Sequence, residues 1–224
     1  MSIRILAFDT SGPRLDIALL CDGETHRFAR DVGRGHGERL GGEVQRLLLG
    51  CGVTAHDLDA IIVPAGPGSF TGLRIAISFA KGLQAASGTP VYGADTLRAM
   101  IRARAEGLEA SCTVLALIDG KKQRYYAALD RKTGHGAYER VFGPVDESIL
   151  SIRERLRAQP DRAPLCVGDM VPTDDWAPFA QPDPIAGGTA DALLRMYLEN
   201  DPLLAELRET DGPQYLRPSQ AEES

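Results

Sequence analysis

The rhythm of polar and apolar positions changes along the chain and predicts its elements. IRILAFDTS (3–11) is a short apolar run closed by an aspartate and turn formers. RLDIALL and ETHRFARDV follow with partial alternation. Together they predict three consecutive antiparallel strands, turning at Ser11–Pro13 and Cys21–Gly23. In HGERLGGEVQRLLLGCG the period becomes helical. Leu40, Val44, Leu47, Leu48 and Cys51 recur at helical spacing, and Gly52 can close the helix. DAIIVPAG reads as a buried strand, the stretch after it as a helix, PVYGA as a strand and DTLRAMIRARAEG as a helix.

The second half opens the same way. CTVLALID and QRYYAALD read as strands around a GKK turn, and GAYERVFG as a third. VDESILSIRERLRAQ is a helix and PLCVGD a strand. Residues 160–188 hold six of the fourteen prolines, so that stretch reads mostly as loop. A last helix is expected near Ala190–Leu198, before a PQYLRPS tail and an acidic end. The repeated strand-strand-strand-helix opening predicts an α/β chain of two related lobes, 1–108 and 109–224, the second reduced.

PAGPGSFTGLRIAISFAKGLQAAS (64–87) raises a functional question. Its glycines, Gly66, Gly68 and Gly72, miss the register of the dinucleotide fingerprint, the Walker loop and the nucleophile elbow. The loop reads as a tight turn whose Ser69 or Thr71 caps the helix. In that helix Arg74, Ser78, Lys81 and Gln84 form one narrow polar stripe, and nearly every other position is apolar or small. Gly72, Ala76 and Ala80 lie four apart, a smooth ridge that lets another helix come close. A surface helix shows an apolar face of only about 100°. This one is therefore either central to its own domain or part of a protein–protein interface, and we expect the interface.

The charge of −6 and pI near 5.3 weigh against a protein that grips nucleic acid by itself. Cys21, Cys51, Cys112 and Cys166 form no CxxC pair and read as reduced thiols. The apolar start is too short for a signal-peptide core, and no run approaches transmembrane length. Of His26, His36, His56 and His135 no two are four apart, so no helical metal pair is expected. His36 reads as a capping or solvent-exposed residue. Lys121, Lys122 and Arg124 make a local basic patch, which suits a solvated turn or a surface facing nucleotide or tRNA in an assembly.

The duplicated β-β-β-α-β-α unit resembles the actin-like ATPase (ribonuclease-H-like) fold, in which a hairpin from each lobe wraps ATP phosphates. That resemblance places Asp9, Thr10 and Ser11 at a first phosphate hairpin and Asp119 and Gly120 at a second. The same residues also suit ordinary turn chemistry.

ILAFDTS, HGERL, DAIIVPAGPGSFTGLRIAISFAKGL, IDGKKQRYYAAL and PQYLR together resemble the TsaB (YeaZ) family, the dimerization subunit of the bacterial tRNA threonylcarbamoyladenosine machinery. The likeness runs through the first lobe and in patches through the second. It implies a cytoplasmic, non-catalytic partner of the transferase subunit TsaD and the ATPase TsaE, homodimeric when alone and reaching tRNA only through the complex. It implies no resident cofactor and no metal, with ATP or ADP at most at the complex junction. The interface it implies lies on two helices, at Leu40, Val44, Leu47, Leu48, Leu73, Ala76, Ile77, Phe79, Ala80 and Leu83. Two departures stand out: Gly41 and Gly42 where the family carries bulkier residues, and a CVGDMVPTDDW segment that barely resembles an adenine-binding motif. An actin-like small-molecule kinase and a peptidase are the alternatives. The kinase would need an adenine pocket and a general base, the peptidase a nucleophile–base pair or a metal.

Overall fold

The computed structural model describes residues 2–105, 108–134, 137–159, 164–168, 181–182 and 189–216. Three strands come first: β1 (Ile5–Asp9), β2 (Arg14–Cys21) and β3 (Glu24–Asp31). Helix α1 (His36–Gly50), a short 3-10 turn (Ala55–Asp57), β4 (Ala60–Gly66), α2 (Phe70–Ser87), β5 (Val91–Asp95) and α3 (Thr96–Ala105) follow. The second series is β6 (Thr113–Asp119), β7 (Arg124–Lys132), β8 (Tyr138–Ser148), α4 (Ile149–Arg157), β9 (Leu165–Gly168) and β10 (Gln181–Pro182). Helix α5 (Thr189–Leu198) and β11 (Leu204–Glu206) come last.

The first sheet has the order β11-β5-β4-β1-β2-β3 and the second β10-β9-β6-β7-β8. Each contains the same five-strand pattern. A central strand pairs antiparallel with the next, which pairs antiparallel with a third, while the other flank continues in parallel. The duplication expected from the strand-strand-strand-helix openings is thus present, and with it the actin-like α/β class. In the second sheet β9 and β10 are short.

Strand periodicity decides which helix covers which face. Along β1, Leu6 and Phe8 point to a core shared with Leu40, Val44 and Leu48 of α1 and Ala76, Ile77 and Ala80 of α2. Ile5 and Ala7 point the other way, against Ala190, Leu193 and Met196 of α5. In the second sheet Leu115, Leu117, Ala127 and Leu129 bury against Ile152 and Leu156 of α4. Helix ends follow local chemistry. Ser69 caps α2, its Oγ accepting from the Gly72 amide at 3.3 Å, and Gly88 ends it in the left-handed region at φ 78°. Ser148 caps α4 by accepting from the Ser151 amide.

One boundary differs from the expectation. The chain divides into Met1–Ala99 with Gly188–Gln214, and Met100–Gly187 with Tyr215–Ser224. Residues 109–224 are not one lobe, because α5 and β11 return to the first sheet: β11 pairs with β5 and α5 packs on β1. Burial drives this, since the α5 side of β1 and β4 carries Ile5, Ala7 and Ile62, which need a cover. Among the described residues no helix is long and apolar enough to cross a membrane. The CVGDMVPTDDW segment lies largely outside the described residues, as do most of 160–188, Arg217 onward and His135.

Candidate functional site

The turn after β1 is built from three buried polar residues. Asp9 is 5% exposed, Thr10 0% and Ser11 8%. Asp9 Oδ1 accepts from the Ser11 amide at 2.7 Å, an Asx-type turn. Its Oδ2 accepts from Thr189 Oγ1 at 2.5 Å, where α5 begins. Thr10 Oγ1 donates to the Gly72 carbonyl at 2.7 Å, and the Ser69 amide donates to the Ser11 carbonyl at 3.0 Å. A Cβ placed on Gly72 would stand 2.0 Å from the Thr10 carbonyl oxygen, so only glycine lets α2 approach this turn.

Asp16 lies directly opposite Asp9 on β2. Its Oδ2 accepts from the Ala190 amide at 3.2 Å. The first turn of α5 therefore sits over two carboxylates, the arrangement its dipole favours. Burial pushes the Asp16 carboxyl up to about 6, with the Ala190 amide opposing and Asp9 adding to the rise.

The turn after β6 is different. Asp119 Oδ1 accepts from the Lys121 amide at 2.8 Å, and its Oδ2 pairs with Lys121 Nζ at 2.6 Å. The Lys121 side chain holds the Asp119 carboxyl below its usual range. The Gly120 amide donates to the Arg124 carbonyl at 2.9 Å. Lys121, Lys122 and Gln123 all take positive φ, 63°, 52° and 59°, a costly run for residues with a Cβ. Lys121, Lys122 and Arg124 are exposed as the sequence suggested, but Lys121 serves Asp119 and Arg124 serves Asp146.

The expected interface residues divide into two sets. Leu40, Val44, Leu48, Leu73, Ala76, Ile77 and Ala80 are at most 8% exposed, turned into the chain's own core. Leu47, Phe79 and Leu83 are half-buried and line its rim. The Gly72–Ala76–Ala80 ridge therefore faces the protein's own strands and Thr10, which corrects its assignment as a docking ridge. What α2 shows outward is Arg74, Ser78, Gly82, Ala85 and Ala86. Beside it α1 shows Gly42, Arg46 and Leu49, the last 70% exposed. A Cβ on Gly42 or Gly82 would meet nothing within 4 Å, while Gly41 faces Phe79. Ile75, Phe79 and Leu83 lie along α2, and Phe79 stacks edge-on with Phe8 at 5.7 Å. Lys81 of the polar stripe is taken by the chain itself, its Nζ donating to the Glu209 carbonyl at 2.6 Å and to that of Asp211.

His36 is 5% exposed, not solvent-facing, and α1 is capped by Gly35 without a side-chain bond. Among the described residues Nε2 of His36 has no hydrogen-bond partner. The described residues contain no group of three or more metal-ligating side chains, and Cys21, Cys51, Cys112 and Cys166 are free thiols. Sequence reasoning missed Thr189. Its position before the apolar run of α5 marks it as a helix-start residue, but nothing in the sequence pairs it with Asp9.

The strand pattern repeated in the two sheets defines an actin-like α/β protein. A family model described as TsaD, tRNA N6-adenosine threonylcarbamoyltransferase, matches residues 29–163. The tRNA threonylcarbamoyladenosine biosynthesis protein TsaB of Escherichia coli (strain K12) is 32% identical over 158 residues, 69% of this chain and 67% of that protein. The Bacillus subtilis (strain 168) protein of the same name is 30% identical over 165 residues, 73% of this chain and 70% of that one. The solved structure of YeaZ from Pseudomonas aeruginosa superposes with a TM-score of 0.74 at 27% identity, covering 96% of this chain and 100% of that one. The chain belongs to the TsaB (YeaZ) family.

Proposed function

We propose that this protein is a subunit of the tRNA threonylcarbamoyladenosine machinery that works by docking a TsaD-like catalytic partner and performs no group transfer itself. The observation that carries this reading is the outer surface of α1 and α2. Gly42 and Gly82, with open space above them, and the exposed small residues Ser78 and Ala85 share these two helices with half-buried Leu47, Ile75, Phe79 and Leu83 and exposed Leu49. Such a surface accepts another helix closely, and its apolar rim repays the approach. A non-catalytic role is supported by the first hairpin, where both oxygens of Asp9 are engaged by the chain's own donors, the Ser11 amide and the Thr189 hydroxyl, in a structural joint. The same helix surface would hold a second copy of the chain in the absence of the partner. A TsaE-like ATPase is the third member, tRNA is reached through the assembly, nucleotide belongs to the junction, and the compartment is the cytoplasm.

The test is co-expression with the TsaD-like subunit of the same cell, followed by size-exclusion chromatography. Gly82→Arg and Gly42→Glu are expected to abolish co-elution while circular dichroism and melting temperature stay near those of the parent, since both sites have room for a side chain. Undiminished co-elution of both variants would place the partner elsewhere.

A further inference from the structure

On the other face of the first sheet, at the far end of α5 from Asp9, lies a pocket of about 550 Å³. Its walls include Ile3, Tyr92, Tyr197, Leu198, Asn200 and Leu204. Tyr92 and Tyr197 meet edge-to-face at 5.0 Å. Ile3 and Leu198 are 41% and 47% exposed, so two of the few exposed large hydrophobic side chains among the described residues border one pocket. Ligands of open α/β sheets sit at the carboxyl ends of the parallel strands. This pocket is beside the amino end of β1, away from the Asp9 turn and from the α1/α2 surface. It therefore stands independently of the proposed docking role.

The rim is preformed. Asp201, 5% exposed, lies 3.8 Å from the buried Arg98 guanidinium. Its Oδ1 accepts from the Leu203 amide at 3.0 Å. The Leu203 carbonyl in turn accepts from the Asp95 amide at 3.1 Å, which fixes the loop to β5. A rim held this way loses little entropy when something binds.

The charges nearby are mainly negative. Glu206, exposed, is directly opposite Tyr92 in the ladder and so projects on the same sheet face. Asp59 is held next to the pocket residue Ile3: its Oδ2 accepts from the Arg4 amide at 2.7 Å, and its own amide donates to the Arg4 carbonyl at 2.8 Å. Glu199 is exposed at the end of α5, where the helix dipole is negative. Of the cations, Arg4 is turned to Asp22 and Arg98 to Asp201. Arg195 stands one turn before Glu199 and offsets it.

We propose that this pocket docks an arginine side chain of a partner polypeptide. The guanidinium would lie against the tyrosine rings under the field of Asp59 and Glu206, and apolar residues flanking the arginine would cover Ile3 and Leu198. Aromatic rings with nearby carboxylates select a cation, and the aliphatic walls select one carried on an apolar stem. The probe is the peptide acetyl-Leu-Arg-Leu-amide, titrated into the isotope-labelled full chain and followed by amide NMR shifts. Saturable shifts at Tyr92, Asn200, Leu203 and Leu204 are expected, with at least fivefold weaker binding of the citrulline peptide and of the arginine peptide to Glu206→Gln. Leu198→Ser should weaken both peptides alike. Absence of saturable shifts at these amides, shifts centred elsewhere, or equal binding of the arginine and citrulline peptides would overturn the proposal.

Discussion

The two hairpin turns occupy equivalent places in two copies of one strand pattern, yet they are stabilised in opposite ways. After β1 the carboxylate of Asp9 is buried and answered by donors as distant in sequence as Thr189. After β6 the carboxylate of Asp119 is answered within two residues, by the amide and ammonium of Lys121. Asp9 faces Asp16 across its hairpin, whereas Asp119 faces Tyr125. The first turn is a joint on which α2 and α5 close, and the second is a locally tied loop carrying three left-handed residues. An acidic strand end can therefore become a structural joint once helices claim its oxygens, without any change of fold.

Breaking the joint should give the largest effect. Gly72→Ala would place a Cβ 2.0 Å from the Thr10 carbonyl oxygen and 2.9 Å from its carbon, both backbone atoms that cannot swing aside. Overpacking of this kind costs about 3 kcal/mol or more, against a gain of about 1 kcal/mol from replacing a helical glycine. Urea unfolding should show stability lowered by about 2 kcal/mol or more. A variant as stable as the parent would mean that α2 can move off the turn freely.

The next effect separates the hairpins by pH. The Asp16 carboxyl is raised from its ordinary 3.8 to about 6. The folded chain thus holds a proton that the unfolded chain has released between those values. Its favourable contribution is complete below about pH 4 and is lost as pH rises through about 6. A rise of that size corresponds to about 3 kcal/mol at most. Asp16→Asn keeps an oxygen for the Ala190 amide and removes the buried charge. It should stabilise the protein at pH 8 by about 2 kcal/mol and flatten the decline between pH 4 and 6. Asp119 works with the opposite sign. Its carboxyl is held low, so its contribution is present above the ordinary 3.8 and lost as pH falls. An unchanged pH profile in Asp16→Asn would show that the joint does not hold that proton.

The strand-strand-strand-helix repeat was legible because the helices bury one face and carry its period, while the central strands β1, β4 and β6, buried on both faces, stand out as short apolar runs. The C-terminal return was not. Thr189 carries a local signal for a helix start and the Leu204–Glu206 strand carries none, and the partners of both, Asp9 and Ala94, are set by packing alone. The outward face of α1 and α2 was half legible. Gly72, Ala76 and Ala80 look like an outward ridge only if small residues are taken as sticky, and they suit a close helix–sheet contact equally well. The polar stripe held the better signal. Ala76 is two residues from Arg74, about 200° round the helix, so it belongs opposite the exposed side. Outward small residues follow Ser78 instead, at Gly82 and Ala85.

The smallest effect belongs to the second hairpin and should have the reverse sign of Gly72→Ala. Gln123 is exposed at φ 59°, after Lys121 and Lys122 in the same region. A residue with a Cβ pays roughly 1–2 kcal/mol there, while glycine adopts this conformation readily and loses about 0.5–1 kcal/mol through its freer unfolded state. Gln123→Gly should therefore raise stability by about 0.5 kcal/mol in urea unfolding. Glycine at the first hairpin's contact point destabilises when replaced; glycine introduced at the second should stabilise. A loss of stability in Gln123→Gly would mean that the glutamine side chain holds the turn, and the second hairpin would then be a built joint like the first.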